Sequence, residues 1–274
     1  VATTGDPNPQ VSGQGFARLR AAGVQVEVLP NHHPLALASR ELNIGFFSRM
    51  LRGKPWVRMK IAASLDGQTA LENGQSQWIT AEPARADGHA WRARAGAVLT
   101  GIGTVLEDNP RLDVRLFDTP RQPPLIVVDS RMDTPLNAAL FIAGRTLLIY
   151  AAVADSAKQA ALEQAGATVV LCPGAGHKVD LQAMLADLHQ RGIYEVHVEA
   201  GHKLNGSLVR EGLVDEFLVY LAPQMLGAGR GMVNIGPLSV LAEGINLSFE
   251  SVDRVGPDLR LLARMQGRGD FLHS

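Results

Sequence analysis

A single cysteine, Cys172, stands among 274 residues. It cannot close an internal disulfide, which excludes a stapled secreted scaffold and makes reducing cytoplasm the expected compartment. One thiolate also excludes zinc ribbons and the pyrimidine-deaminase zinc site, which need at least two. No sign of charge dominates: 26 Lys plus Arg face 27 Asp plus Glu, a net charge of −1, so bulk positive charge holds no nucleic acid here. No run approaches the roughly 18 uninterrupted apolar residues of a membrane span. The polar, Gly/Pro-rich residues 1–15 lack the basic-then-apolar order of a signal peptide. What is present suits an ordinary globular core, with 46% hydrophobic residues. At about 150 residues per domain, the length allows one large domain or two modest ones.

Residues 1–53 read differently from the rest. Asp6-Pro7-Asn8-Pro9 is turn-rich. A short helix is expected over 11–22, stopped by Gly23, then an alternating strand over 24–29 and an amphipathic helix over 33–52, stopped by Gly53. This helix–strand–helix piece is too small to hold a core of its own. From Lys54 the pattern is regular. Strands are expected at 56–65, 97–100, 125–129, 146–151, 168–172 and 195–199, with helices at 81–95, 156–165, 181–191 and 203–211. Alternating units of this length predict an α/β fold, a mostly parallel sheet with helices on both faces. Residues 216–225 and 246–265 have no helix between them and are expected as antiparallel strands at a sheet edge.

Open α/β sheets bind ligands outside the carboxyl ends of their parallel strands. Polar and small residues gather at four such ends: Asp66-Gly67 with 74–80, Gly101-Ile102-Gly103-Thr104 with 107–110, Asp129-Ser130-Arg131, and 200–207. The glycine turns at 101–104 and 201–207 let backbone N–H groups approach an anion at a helix start. They read equally well as plain turn chemistry. Neither completes a known fingerprint: Leu106 stands where a third dinucleotide glycine would, and Ser207 where a P-loop needs Lys. Beside Asp129, Ser130 and Arg131 suit a 2′-phosphate, or simply open a solvated turn.

Other features carry less. His197-x-Glu199 mimics the H-x-E of zinc deaminases, yet Cys172 alone cannot complete that ligand set. His32-His33 lacks a third ligand nearby. Asp87 and His89 fit the polar face of a helix, and Trp56 and Trp91 fit a core. Trp78, in a polar loop, suits stacking on a ligand as well as packing.

Several ordered blocks coincide with one family: Lys60-x-x-x-Ser64-Leu65-Asp66-Gly67, Gly74-x-Ser76-x-Trp78-Ile79-Thr80, Arg92-x-Arg94, and Gly103-Thr104-Val105-Leu106-x-Asp108-Asn109-Pro110-x-Leu112-x-Val114-Arg115. Val128-Asp129-Ser130, Val198-Glu199-Ala200-Gly201, and Leu226-Gly227 followed by Gly231 continue the series. Across residues 54–265 the chain resembles the reductase domain of the bifunctional riboflavin-biosynthesis deaminase–reductase. Asp6-Pro7-Asn8-Pro9-x-Val11-x-Gly13-x-Gly15 resembles the close of that family's deaminase domain.

The resemblance implies a fold similar to dihydrofolate reductase over 54–274, behind a deaminase remnant and linker helix over 1–53. With Val1 in place of Met, it suggests a chain cut before its zinc ligands, so zinc and deamination would belong only to the missing part. The implied reaction is NADPH-dependent reduction of the ribosyl group of 5-amino-6-(5-phosphoribosylamino)uracil. On the dinucleotide side it implies Ala62, Trp78, Thr104, Asp108, Ser130 and the run Gly201, His202, Lys203, Leu204, Asn205, Gly206 and Ser207. On the substrate side it implies Ser76, Arg92, Leu112, Arg115 and Glu199, the two arginines as forks for the substrate phosphate. Lys60, Asp108 and Glu199 are the candidates for the proton at the reacting carbon, and the sequence does not choose among them. No metal site is implied for this chain. A homodimer or higher homo-oligomer is. The competing readings are a related reductase acting on a pterin or another pyrimidine, a zinc deaminase, and an idle binding domain. The paired arginines disfavour the pterin, and the cysteine count disfavours the deaminase.

Overall fold

The structure, a computed structural model, describes residues 1–273. The amino-terminal piece holds α1 (Gln14–Ala21), α2 (Pro34–Leu42) and α3 (Ile44–Arg52). The βα series follows as β1 (Trp56–Ser64), β2 (Gln68–Leu71), α4 (Glu82–Arg94), β3 (Ala97–Gly101), α5 (Ile102–Asp108), β4 (Leu125–Val128), β5 (Leu147–Ala151), α6 (Ser156–Gln164), β6 (Thr168–Leu171), α7 (Leu181–Gln190), β7 (Glu195–Val198), α8 (His202–Arg210) and β8 (Glu216–Ala222). A short β9 (Gly229–Gly231) and the pair β10 (Leu247–Val255) and β11 (Asp258–Met265) close the chain.

Nine of these strands form one sheet in the order β10-β11-β8-β1-β7-β3-β4-β5-β6. From β8 to β6 every neighbouring pair is parallel, while β11 on β8 and β10 on β11 are antiparallel. The mostly parallel sheet with antiparallel carboxyl-terminal strands is thus as the sequence predicts. Its central strands are buried on both sides, as near-continuous apolar runs require. Met59, Ile61 and Leu99 pack with Met184 and Leu188 of α7 and Leu208 of α8. On the opposite face Val98, Leu125 and Ile149 pack with Val105 of α5 and Leu162 of α6.

Some expectations change. The alternating residues 24–29 form no strand; Val28 makes one isolated parallel bridge to Ala2 in place of a ladder. The helix expected over 33–52 breaks at Asn43, whose φ −110°, ψ 25° ends α2 and opens α3. The stretch 246–265 folds back as a hairpin through Gly256-Pro257, Gly256 supplying the positive φ of 62° its tight turn needs. A small ribbon of β2 and β9 was not apparent in the sequence. It needs glycine at 229, because a Cβ there would run into the Ala70 carbonyl.

The amino-terminal helices are fastened to the sheet. Ile44 and Phe47 of α3 bury against Trp56 and Leu272. Arg264 of β11 bridges Glu216 of β8 (2.9 Å) and Glu41 of α2 (2.6 Å), and Arg58 of β1 joins Glu216 (2.5 Å) and Glu195 (2.7 Å). Among the described residues no helix is long and apolar enough to cross a membrane.

Candidate active site

The strand order reverses around β1, and the crevice lies there, outside the carboxyl ends of β1, β7, β3 and β4, where this sheet type places ligands. The cleft measures about 1520 Å³, beyond the ~300–1,000 Å³ usual for one small ligand, so it has room for two. Of the residues that the resemblance implies for cofactor, substrate and proton, all line it except Gly206. That glycine faces the other way on α8, against the backbone of Asn234, where any Cβ would collide. Its neighbour Asn205 is also tied backwards, donating from Nδ2 to the Met232 carbonyl at 3.2 Å.

One wall is cationic and built around Glu199. Arg92 of α4 is buried, and its fork meets Glu199 at 2.7 Å (Nε to Oε1) and 2.9 Å (Nη2 to Oε2). Its Nη1 donates to the Asp113 carbonyl at 2.6 Å. Burial alone would raise the Glu199 pKa, but Arg92 outweighs it and holds the carboxyl well below its ordinary range. Arg92 therefore spends its fork on Glu199, leaving Arg115, half-exposed and joined to Asp113 at 3.1 Å, the freer of these two arginines. Lys60 of β1 enters the same wall, and burial pushes its ammonium pKa down against the pull of Glu199. Asp108 ends α5, and burial with the adjacent Glu107 raises its pKa. His89 is held to about 4 by burial and then by Arg92 and Arg115.

The other wall is made of helix starts. Gly101 leads into α5 and Gly201 into α8, and neither helix has a side-chain cap or an acidic residue in its first turn. Free N–H groups and the positive dipole end suit an anion there. Gly101 also lets Leu204 pack close, since a Cβ would sit 3.0 Å from Leu204 Cδ2. Thr104 and Ser130 line the wall, and Ser130 Oγ accepts from the Val179 N–H at 3.3 Å. Arg131 is absent from the cleft lining; its carbonyl instead accepts from Lys158 at 3.0 Å. Lys178 stands beside Ser130's partner, in the segment after β6. Reading the β6 carboxyl end as the other strand ends were read would have found it. Arg230 of β9 pairs with Glu107 at 2.7 Å across the mouth, a contact no local motif announces. Trp78 is 65% exposed, with the Arg85 guanidinium 4.7 Å from its ring centroid.

Against known proteins, residues 55–261 match the RibD C-terminal domain model. The chain belongs to the RibD C-terminal domain family. Riboflavin biosynthesis protein RibD of Escherichia coli is 37% identical over 275 residues, which span 95% of this chain and 72% of that protein. RibD of Acinetobacter baumannii superposes with a TM-score of 0.84 at 33% identity, covering 96% of this chain and 72% of that one. A Thermotoga maritima diaminohydroxyphosphoribosylaminopyrimidine deaminase/5-amino-6-(5-phosphoribosylamino)uracil reductase superposes at 0.77 and 25% identity, over 95% and 69%. For this RibD C-terminal domain, the deaminase-like His197-x-Glu199 has a plain structural account. His197 lies 1% exposed inside the sheet, 3.6 Å from a Glu199 already clamped by Arg92. Among the described residues no group of three His, Cys, Asp or Glu gathers as metal ligands.

Proposed function

We propose that this chain is the NADPH-dependent reductase of riboflavin biosynthesis that turns the ribosyl group of 5-amino-6-(5-phosphoribosylamino)uracil into its ribityl product. The observation that carries this reading is the two-sided cleft: uncapped helix starts on one wall, an arginine-bearing wall opposite, and a half-buried lysine between them. The fit to a dinucleotide rests on donors present here. The first N–H groups of α8 suit a pyrophosphate, and Ser130 with Lys178 suits the 2′-phosphate that separates NADPH from NADH. The nicotinamide supplies a hydride when bound.

The chain's own residues do the rest. Arg115 neutralises the substrate phosphate, and Ser76 and the Leu112 backbone orient the sugar end. Arg92 keeps Glu199 ionised, which fits that carboxylate to accept hydrogen bonds and unfits it as an acid. Lys60 is then the group that hands a proton to the substrate as the ribosyl carbon is reduced, with Asp108 shaping the field beside it. Deamination is outside this reading, because one cysteine cannot supply the zinc ligands.

The test is NADPH oxidation followed at the nicotinamide absorbance, with the deaminated and the amino-bearing pyrimidine offered separately and ammonia measured alongside. Turnover of the deaminated compound without ammonia release is expected. Arg115→Ala is expected to raise KM at least about tenfold, the scale of a lost charge-assisted contact. No turnover of either compound would remove the reductase reading, and an unchanged KM would remove Arg115 from the phosphate.

A further inference from the structure

Arg145 lies outside the cleft, in the turn before β5, and is buried. Its guanidinium is spent on three backbone carbonyls: Nε on Pro123 at 2.9 Å, Nη1 on Arg111 at 2.8 Å and Nη2 on Leu112 at 2.7 Å. These acceptors sit at the two ends of one loop, residues 111–123, so a single side chain ties that loop shut. Burying a cation against neutral carbonyls is an expensive way to close a loop. An apolar contact would do it at less cost.

The loop's backbone explains the arrangement. Leu112 has φ +51° and Asn109 φ +43°, and the left-handed region is unfavourable for leucine. In extended chain, successive carbonyls point to opposite sides; a helical-type turn of either hand brings them to the same side. The left-handed turn at Leu112 is thus what presents two consecutive carbonyls to one guanidinium. The same turn carries Leu112 and Arg115 to the cleft wall, and leaves the Asp113 carbonyl on Arg92. Gln122 clasps the loop's middle, accepting from the Val114 N–H at 2.8 Å and donating to its carbonyl at 2.7 Å.

Charge points the same way. Burial pushes the Arg145 pKa down to about 10, which still leaves it charged at neutral pH. Around the loop stand Arg92, Arg111, Arg115 and Arg145 against Glu199 and Asp113. Cations outnumber carboxylates there, the balance that an anionic phosphate needs. A strained backbone held by an otherwise costly group is the kind of outlier from which a functional role is inferred.

We propose that Arg145 is a positioning residue, which clamps the 111–123 loop in its left-handed turn and thereby sets Arg115 and Leu112 for the substrate phosphate without touching it. This rests on the reductase reading for the identity of the substrate, though not for the phosphate itself.

The test compares wild type, Arg145→Lys and Arg145→Met, each scored per folded molecule. Read out are the KM for the phosphorylated pyrimidine, the calorimetric Kd for inorganic phosphate, and the Kd for NADPH. Arg145→Met is expected to raise both phosphate-dependent constants about tenfold or more, with the NADPH Kd moved less than about twofold. Arg145→Lys keeps the charge but cannot span three carbonyls, so a smaller rise, about threefold, is expected. A merely structural arginine would lower Tm and leave those constants unchanged in the folded fraction. That result, in Met or, if Met does not fold, in Lys, overturns the proposal. So does a wild type that binds no phosphate. A wild type without reductase turnover, whose phosphate affinity still falls in Arg145→Met, removes the reductase reading and leaves the clamp standing.

Discussion

In the proposed reaction, Lys60 is the residue on which the chemistry turns. Its Nζ lies 5.8 Å from the ring centroid of Tyr220, whose hydroxyl is turned away to donate to Asp87 at 2.6 Å. Among the described residues no hydrogen bond fixes the Lys60 ammonium, so it is free to serve a ligand. A positioned proton donor contributes about 10²–10⁴-fold to rate. Lys60→Met is therefore expected to lower kcat at least about 100-fold while the NADPH Kd, measured by equilibrium binding, stays as in wild type. A kcat within about threefold of wild type would take the proton away from Lys60. At this scale the residues were legible in the sequence and their pairings were not. Arg92 and Glu199 both read as substrate-side groups, but their separation of 107 positions hides that each occupies the other. Lys178 went unread because Lys in a loop is the commonest solvated side chain, and only its place at a strand end marks it.

Among the elements, β7 shows how position in a sheet sets titration. It lies between β1 and β3, so His197 has covered strands on both sides. Neither ring nitrogen finds a hydrogen-bond partner among the described residues. Its pKa falls from 6.5 to about 3, through burial first and then Arg58, Arg92 and Lys60, against the pull of Glu199. Unfolded, this histidine takes up a proton near 6.5; folded, it resists until about 3. Across that window the unfolded chain holds more protons, so stability falls as pH falls, by up to about 1.4 kcal/mol per pH unit. His197→Leu is expected to flatten this acid limb by about one proton, read from thermal melts between about pH 4 and 7. Superimposable acid slopes for the two proteins would show that His197 is not held neutral.

The elements themselves were legible wherever pattern and packing agree. The apolar runs of β3, β4 and β5 and the spacing of α6 and α7 could hardly be anything else. Where they part, the sequence misleads. Residues 24–29 alternate like a strand, but alternation without a partner strand makes no ladder. The 33–52 segment keeps helical spacing through Asn43, and only tertiary contacts decide that the axis turns there: Ile44 and Phe47 reach Trp56 while Gly45 lies against Tyr194 and Glu195. The left-handed turn at Leu112 left no trace, since no glycine or asparagine marks that position.

At the scale of the whole molecule, the question is whether residues 1–53 merely precede the reductase or share its core. Trp56 opens the central strand and is fully buried, under Phe47, Ile44 and Leu272 from the two ends of the chain. The Arg52 guanidinium lies over both Trp56 and Phe271, at 5.4 and 5.0 Å. Arg40 donates to the Leu272 carbonyl at 2.6 Å. Beneath them, Arg58, Glu195, Glu216, Arg264 and Glu41 form one ionic chain from β1 to α2. Such contacts make α3 a wall of the sheet's core, so unfolding it would uncover Trp56, and unfolding α2 with it would leave Arg264 short of Glu41. Phe47→Ala separates the two possibilities. If α3 is part of the cooperative unit, truncating a buried phenylalanine costs about 3–5 kcal/mol. That corresponds to roughly 6–20 °C in Tm for a domain of this size. Heat inactivation of NADPH oxidation should then shift by the same amount, although Phe47 lies outside the cleft. A melt in which the activity midpoint stays at its wild-type value, while a separate low-temperature step appears, would show the amino-terminal helices folding on their own account and the reductase standing without them.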